Sequence, residues 1–288
     1  MSSSEDRAGK ARPTTPKIDG VAMVGGGQMA LALAEGFCRT GLLEPAGIVV
    51  HDPAEAARTR LAERLPGVRF ASTPAEAVRG ASIVFLAVKP QHAETASRSL
   101  AGALPSGATV VSIVAGVPIA TLGGWLGTGA VVRVMPNTPC LVGRGVSAWC
   151  RGPEVSDDAA RASAALLGAV GSVHEVAEPL LDAVTGLSGS GPGYVALVVE
   201  ALADGGVKAG LPRSLALALA AGTVAGTGEL IERSGEHPAI VRDRVASPGG
   251  TTIAGLAVLE ARGVRGALID AVVAAADRAR ELGEPAGG

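Results

Sequence analysis

Residues 21–35, VAMVGGGQMALALAE, pass from a four-residue apolar strand through three glycines directly into an Ala- and Leu-rich helix. Gly25-Gly26-Gly27 followed by Ala30 is the G-x-G-x-x-A form of the dinucleotide fingerprint. Gly25 permits the tight turn, Gly27 lets the backbone approach a pyrophosphate, and Ala30 allows the helix to pack close on the strand. Gln28 and Met29 open the helix, where free N–H groups and the positive end of the helix dipole face the phosphates. Taken alone, the motif also fits a glycine-rich turn that binds nothing. The next strand, IVVH, argues against that, because it ends at Asp52, where an acidic residue about twenty positions on bonds a ribose 2′-hydroxyl. Such a carboxylate repels a 2′-phosphate and favours NADH over NADPH, a repulsion that Arg58 and Arg60 could soften. Asp52 is also placed to cap a helix starting at Pro53, and the two roles are compatible.

The alternation continues along the chain. β-Branched runs VAMV, IVVH, IVFLAV, TVVSIV and AVVRVM are separated by Ala-rich, charge-bearing segments of helical length. Strands apolar on both faces that alternate with helices predict a doubly wound, Rossmann-type α/β domain with a parallel sheet over residues 18–178. The weaker runs GVSAWC and SVHEV are candidates to extend it. After Pro179 no strand pattern remains, and helices are expected over 180–186, 192–209, 212–233, 237–246, 252–262 and 264–282. Residues 179–288 therefore read as an all-α domain whose bland, Ala-rich faces suit dimerisation and substrate binding. The polar residues 1–17 lack the apolar core of a secretory signal and are expected as a disordered tail.

Composition excludes several classes. A net charge of −2, with two Trp, one Tyr and three Phe, leaves neither a basic surface nor stacking platforms for nucleic acid. Cys38, Cys140 and Cys150 show no metal or redox spacing, which points to a reducing cytoplasm. No metal is expected, since His51, His92, His174 and His237 read as surface or structural residues. The longest apolar run, LALALAAGTVAG at 215–226, falls short of the ~20 residues of a membrane helix. It is expected as a buried helix between helices or subunits, and no membrane partner is expected.

Other candidate cofactor residues stand where strands end, which is where open α/β sheets bind ligands. FLAVKPQH places Ala87, Val88, Lys89 and Pro90 at such an end, with Lys89 able to meet a ribose or phosphate. RVMPNTP places Asn137 at another, either bonding near the reacting ring or capping a turn between two prolines. The stretch VASPGGTT, residues 245–252, holds only small side chains after Val245 and reads as either a linker or a backbone cradle for a small anion.

DAVTGLSGSGPGYVALVVEALADGGVKAGLPR at 182–213, followed by VASPGGTTIAGLAVLEARGVRGALIDAV at 245–272, closely resembles the pyrroline-5-carboxylate reductases. GGGQMA, FLAVKP, VSIVAGV and RVMPNTP resemble them too, in the same order, so the likeness runs from about Ile18 to Leu282. The resemblance implies NAD(P)H-dependent reduction of the cyclic imine L-1-pyrroline-5-carboxylate to L-proline, the last step of proline synthesis. It implies a homodimer, often built further into a ring of dimers, with active sites drawing on two chains. It also implies that the hydroxyl of Thr252 bonds the ring nitrogen, with the Val245 carbonyl as a second partner. Ser247, Gly249, Gly250 and Thr251 complete the candidate substrate loop, with free amides expected at Gly250 and Thr251. GLSGSGPGY at 186–194 is expected as a second small-residue loop walling the nicotinamide.

Two departures from the family pattern bear on the cofactor. Thr73-Pro74 stands where relatives often carry an adenosine-contacting Asn, and His51-Asp52 where NADPH users often carry small hydroxyl residues. A β-hydroxyacid dehydrogenase would need a proton-handling Lys on the helix after GSG, where this chain has Val195 and ALVVE. A reductase of a related cyclic imine and a non-catalytic dinucleotide-binding homologue are the remaining alternatives.

Overall fold

The computed structural model describes residues 18–283, so the tail expected over residues 1–17 lies outside the described residues. The chain divides into two compact units, one taking in residues up to Val134 with Cys140–Glu175, the other Met135–Pro139 with residues from Val176 onward. The segment Met135–Pro139, expected with the sheet, thus belongs to the helical unit.

The first unit alternates strand and helix: β1 (Val21–Val24), α1 (Gln28–Arg39), β2 (Ile48–His51), α2 (Glu55–Arg64), β3 (Arg69–Phe70), α3 (Pro74–Ala77) and β4 (Ile83–Leu86). Then follow α4 (Ala93–Leu100), β5 (Thr109–Ser112), α5 (Ile119–Leu126), β6 (Val131–Met135), β7 (Gly145–Arg151), α6 (Asp157–Gly168) and β8 (Gly171–Glu175). The strands form one sheet in the order β3-β2-β1-β4-β5-β6-β7-β8. β1 pairs in parallel with both β2 and β4, so the chain winds outward in one direction through β3 and then in the other from β4. That reversal opens a crevice beyond the carboxyl ends of β1 and β4, the usual ligand position in such sheets.

Burial explains the apolar strand runs. Every residue of β1, β4 and β5 is buried, as a sheet covered on both faces requires. α1 lays Leu33, Ala34 and Phe37 into this core, where the Phe37 and Phe85 rings lie 5.5 Å apart. α6 starts at a Ser156 cap whose hydroxyl accepts from the Ala159 amide, with Asp157 and Asp158 in the first turn against the helix dipole. β3, two exposed residues at the sheet edge, leaves no periodicity to find in the sequence.

The second unit contains α7 (Leu181–Val184), α8 (Gly191–Lys208), α9 (Arg213–Ser234), α10 (Pro238–Val245), α11 (Thr251–Ala261) and α12 (Val264–Gly283). The small-residue stretch at 186–194 leads, as expected, into a helix with Pro192 in its first turn, but its first part is a π-helical turn, Thr185–Gly189, rather than a loop. The Ser190 amide bonds the Thr185 carbonyl at 2.8 Å, which closes that wider turn. α8 and α9 meet through Ala203, Ala216 and Ala220, small enough for a close approach, with Val199 and Val207 against them.

The remaining faces of these helices lack cover within the described chain. The burial expected of α9 is limited to Ala216 and Ala220. α11 buries none of its residues, and Leu197, Leu219, Val258 and Val273 are all at least half exposed. At 22 residues with a mean hydropathy of 1.4 over its most apolar window, α9 is long and apolar enough to cross a membrane by length and composition. This corrects the reading that its apolar run falls short, because the helix extends beyond that run at both ends.

Candidate cofactor and substrate sites

A cleft of about 610 Å³, within the range of small-ligand pockets, opens at the reversal point of the first unit. It is lined by Val24, Gly25 and Gly27 at the end of β1, His51 and Asp52 at the end of β2, and Ala87, Val88 and Lys89 after β4. A Cβ on Gly25 would lie 2.4 Å from the Ala87 carbonyl oxygen, and its φ of 103° also excludes a side chain. A Cβ on Gly27 would meet nothing within 4 Å, so the space a pyrophosphate would take is open. The first intrahelical bond of α1 runs from the Leu31 amide to the Gly27 carbonyl at 3.0 Å. The amides of Gln28, Met29 and Ala30 are therefore unpaired within the helix, and no side chain caps them. These residues fit a dinucleotide whose phosphates complete the helix N-terminus.

Asp52 does more than face the cleft. Its Oδ2 accepts from the Gly26 amide at 2.6 Å and its Oδ1 from the Ala54 amide at 2.8 Å. The expected capping of α2 is not seen: the cap position is Ala54, without a side-chain bond. Asp52 instead ties the glycine loop to the end of β2, keeping lone pairs on both oxygens for a ribose diol. Arg58 turns back onto the same corner, its Nη1 donating to the Asp52 carbonyl at 2.7 Å and the Pro53 carbonyl at 2.9 Å. Arg60 buries an Nε with no partner among the described residues.

The cleft also includes residues not expected from the sequence: Pro53, Ala54, Pro74, His92, Thr95, Ala96 and Ser99. Thr95 and Ser99, four apart on α4, share one helix face, a spacing visible in the sequence but without a motif to draw attention to it. His51 and His92, read from the sequence as surface or structural residues, likewise line the cleft. Thr73 caps α3, its hydroxyl accepting from the Glu76 amide at 3.1 Å. Pro90 sits outside the cleft lining, as the first residue of a short 3₁₀ turn.

Asn137 belongs to the helical unit, 8% exposed, and its Nδ2 donates to the Ser188 carbonyl at 3.1 Å. Ser188 is four residues before Pro192, which has no N–H to give that carbonyl, and Asn137 supplies the donor instead.

The candidate substrate loop begins at exposed Val245, the last residue of α10. Ser247–Gly250 form a turn with Pro248 second and Gly249 third at φ 65°, the type II pattern, closed by the Gly250 amide on the Ser247 carbonyl at 3.0 Å. The Gly250 amide, expected to be free, is thus spent. The free amides lie one step on: the first bond of α11 runs from Ala254 to the Gly250 carbonyl at 3.4 Å, leaving Thr251, Thr252 and Ile253 unpaired in the helix. Gly250 occupies the cap position without any side-chain cap, so Thr252, partly buried in the first turn, is not the cap.

No group of three or more metal-binding side chains occurs among the described residues. The cysteines are free; Cys38 is half-buried, and desolvation first, then Glu44, push its thiol above the usual range.

Residues 178–282 match the family described as pyrroline-5-carboxylate reductase dimerisation, and residues 20–116 the family described as NADP oxidoreductase, coenzyme F420-dependent. A pyrroline-5-carboxylate reductase of Synechocystis is 47% identical over 262 residues, covering 91% of this chain and 97% of that protein. The solved pyrroline-5-carboxylate reductase of Coxiella burnetii is 31% identical, with a TM-score of 0.87 over 93% of this chain and 99% of that one. The Plasmodium falciparum pyrroline carboxylate reductase, solved with NADP bound, is also 31% identical, with a TM-score of 0.83 over 94% of this chain and 100% of that one. With its glycine-loop cleft, its match to the family's dimerisation region and relatives matched over nearly their whole length, the chain belongs to the pyrroline-5-carboxylate reductase family, a family of reductases.

Proposed function

We propose that this chain reduces the C=N bond of L-1-pyrroline-5-carboxylate to give L-proline, using NADH or NADPH. The observation that carries this reading is the turn Ser247–Gly250 leading into the uncapped N-terminus of α11. A small carboxylate-bearing ring needs free amides and one hydroxyl, and that segment offers both with little side chain in the way. The reduced dinucleotide, when bound, supplies the hydride that adds to the imine carbon. Thr251, Thr252 and Ile253 amides hold the carboxylate, and the Thr252 hydroxyl bonds the ring nitrogen. A ring nitrogen that arrives protonated becomes the product amine without an enzymic acid, consistent with a loop that contains no acid, His or Lys between Val245 and Thr252. In this reading the sheet-bearing unit holds the dinucleotide through Gly25, Gly27, Asp52 and Lys89, and the helical unit holds the imine.

The same reading covers assembly and setting. The uncovered apolar faces of α8, α9, α11 and α12 lie inside the matched dimerisation region, and a second copy of the chain gives them a protein partner. That occupant accounts for the hydropathy of α9 without a membrane. Free cysteines agree with a reducing cytoplasm.

The test is a turnover assay with each reduced dinucleotide, with and without the imine. Oxidation that depends on the imine is expected, with NADH used at least as well as NADPH because Asp52 is a fixed carboxylate at the ribose end. No imine-dependent oxidation with either dinucleotide would sink the reading, and strong selectivity for NADPH would overturn the cofactor part alone.

A further inference from the structure

Arg58 invites a simple assignment. A guanidinium within two turns of the ribose-side carboxylate is the side chain expected to take a 2′-phosphate. Its hydrogen bonds point the other way. One nitrogen, Nη1, donates to two successive carbonyls, Asp52 at 2.7 Å and Pro53 at 2.9 Å. No backbone amide among the described residues takes either of them. Those carbonyls belong to the corner between β2 and α2 whose side chain, Asp52, holds the Gly26 amide with one oxygen and the Ala54 amide with the other. Arg58 and Asp52 thus form a chain of hydrogen bonds, guanidinium to corner backbone, corner side chain to glycine loop. If the corner loosened, the carboxylate would lose its fixed orientation toward the ribose, together with its grip on the loop that faces the pyrophosphate.

We infer that Arg58 is a positioning residue for dinucleotide selectivity: it holds the Asp52 carboxylate in its anti-phosphate orientation, and so favours NADH, rather than receiving the 2′-phosphate of NADPH. This rests on the dinucleotide reading of the cleft. Three consequences separate it from the alternatives. Removing Arg58 weakens NADH more than NADPH, since the guanidinium braces the very carboxylate that binds the ribose. The effect is absent or small when Asp52 has already been replaced, because Arg58 acts through it. Lysine, which can still donate to a carbonyl but lacks the rigid fork, recovers part of the effect.

The experiment titrates NADH and NADPH into full-length protein by nicotinamide fluorescence, for wild type, Arg58→Ala, Arg58→Lys, Asp52→Asn and the Arg58→Ala/Asp52→Asn double variant. Arg58→Ala is expected to weaken NADH about tenfold, the order of a charged hydrogen bond, with a clearly smaller change for NADPH. Arg58→Lys should fall between, and the double variant should resemble Asp52→Asn alone. Arg58→Ala that weakens NADPH more than NADH would make Arg58 a phosphate ligand and overturn the inference. Equal weakening of both dinucleotides would reduce it to a structural residue, also overturning it. Wild-type protein that binds neither dinucleotide would instead remove the reading of the cleft itself. If Arg58→Ala does not fold, the ratio measured on Arg58→Lys decides in the same way.

Discussion

Thr252 shows how much a single position can change meaning once its neighbours are placed. From the sequence it reads first as the hydroxyl that bonds a ring nitrogen, with helix capping as the lesser alternative. The cap position is Gly250, and Thr252 stands inside the first turn of α11. Its hydroxyl therefore has no capping bond to lose, and Thr252→Ala should leave thermal stability nearly unchanged, Ala being the better helix former. Turnover is expected to fall about tenfold to a hundredfold for a lost bond of ~1.5–3 kcal/mol at the transition state. Thr252→Ser should keep most activity. Unchanged kcat in a folded Thr252→Ala variant would show that the hydroxyl takes no part in the reaction. Asp52 is the converse case: a residue expected to meet the ligand and to cap the following helix holds the protein's own glycine loop instead of that helix.

Among the elements, the π-turn between α7 and α8 is the one most dependent on a distant residue. Pro192 removes the amide that would serve the Ser188 carbonyl, and Thr185 and Ser188 bend their hydroxyls back onto Leu181 and Val184. Asn137, buried and bonded to that carbonyl, completes the turn. Asn137→Ala is expected to cost about 1–3 kcal/mol of stability, the usual penalty for orphaning a buried polar group, with dinucleotide affinity little changed. Denaturant unfolding beside an NADH titration checks both. A variant of full stability with much weaker NADH binding would return Asn137 to the cofactor role read from its strand-end position.

At the scale of the molecule, the helical unit is a surface waiting for a partner. Leu197 is 66% exposed and Val258 60%, on helices with few buried residues of their own. Burying one such Leu fully contributes about 1.5–3 kcal/mol, so a face of them favours association strongly. Light scattering is expected to give a dimer or a multiple of it. Leu197→Glu, harmless on an exposed monomer surface, should shift the distribution toward smaller species and lower the thermal midpoint. A stable, active wild-type monomer would refute the assembly.

Much of the architecture was legible in the chain alone. The strand runs, the glycine fingerprint and the switch to all-helical patterning after Pro179 arise from hydrophobic period and backbone freedom, which act within a few residues. The two-residue β3, too short for a period, escaped that reading. The site's wiring was not legible in the same way. Asp52 reaches an amide 26 positions away, and Asn137 a carbonyl 51 positions away. Arg58 is close in sequence to the carbonyls it holds, yet its choice of backbone over phosphate depends on how the corner folds. Which donor meets which acceptor is set by the closure of the chain, since a polar side chain carries the same capacity to bond wherever it stands and only the packed neighbours select its partner.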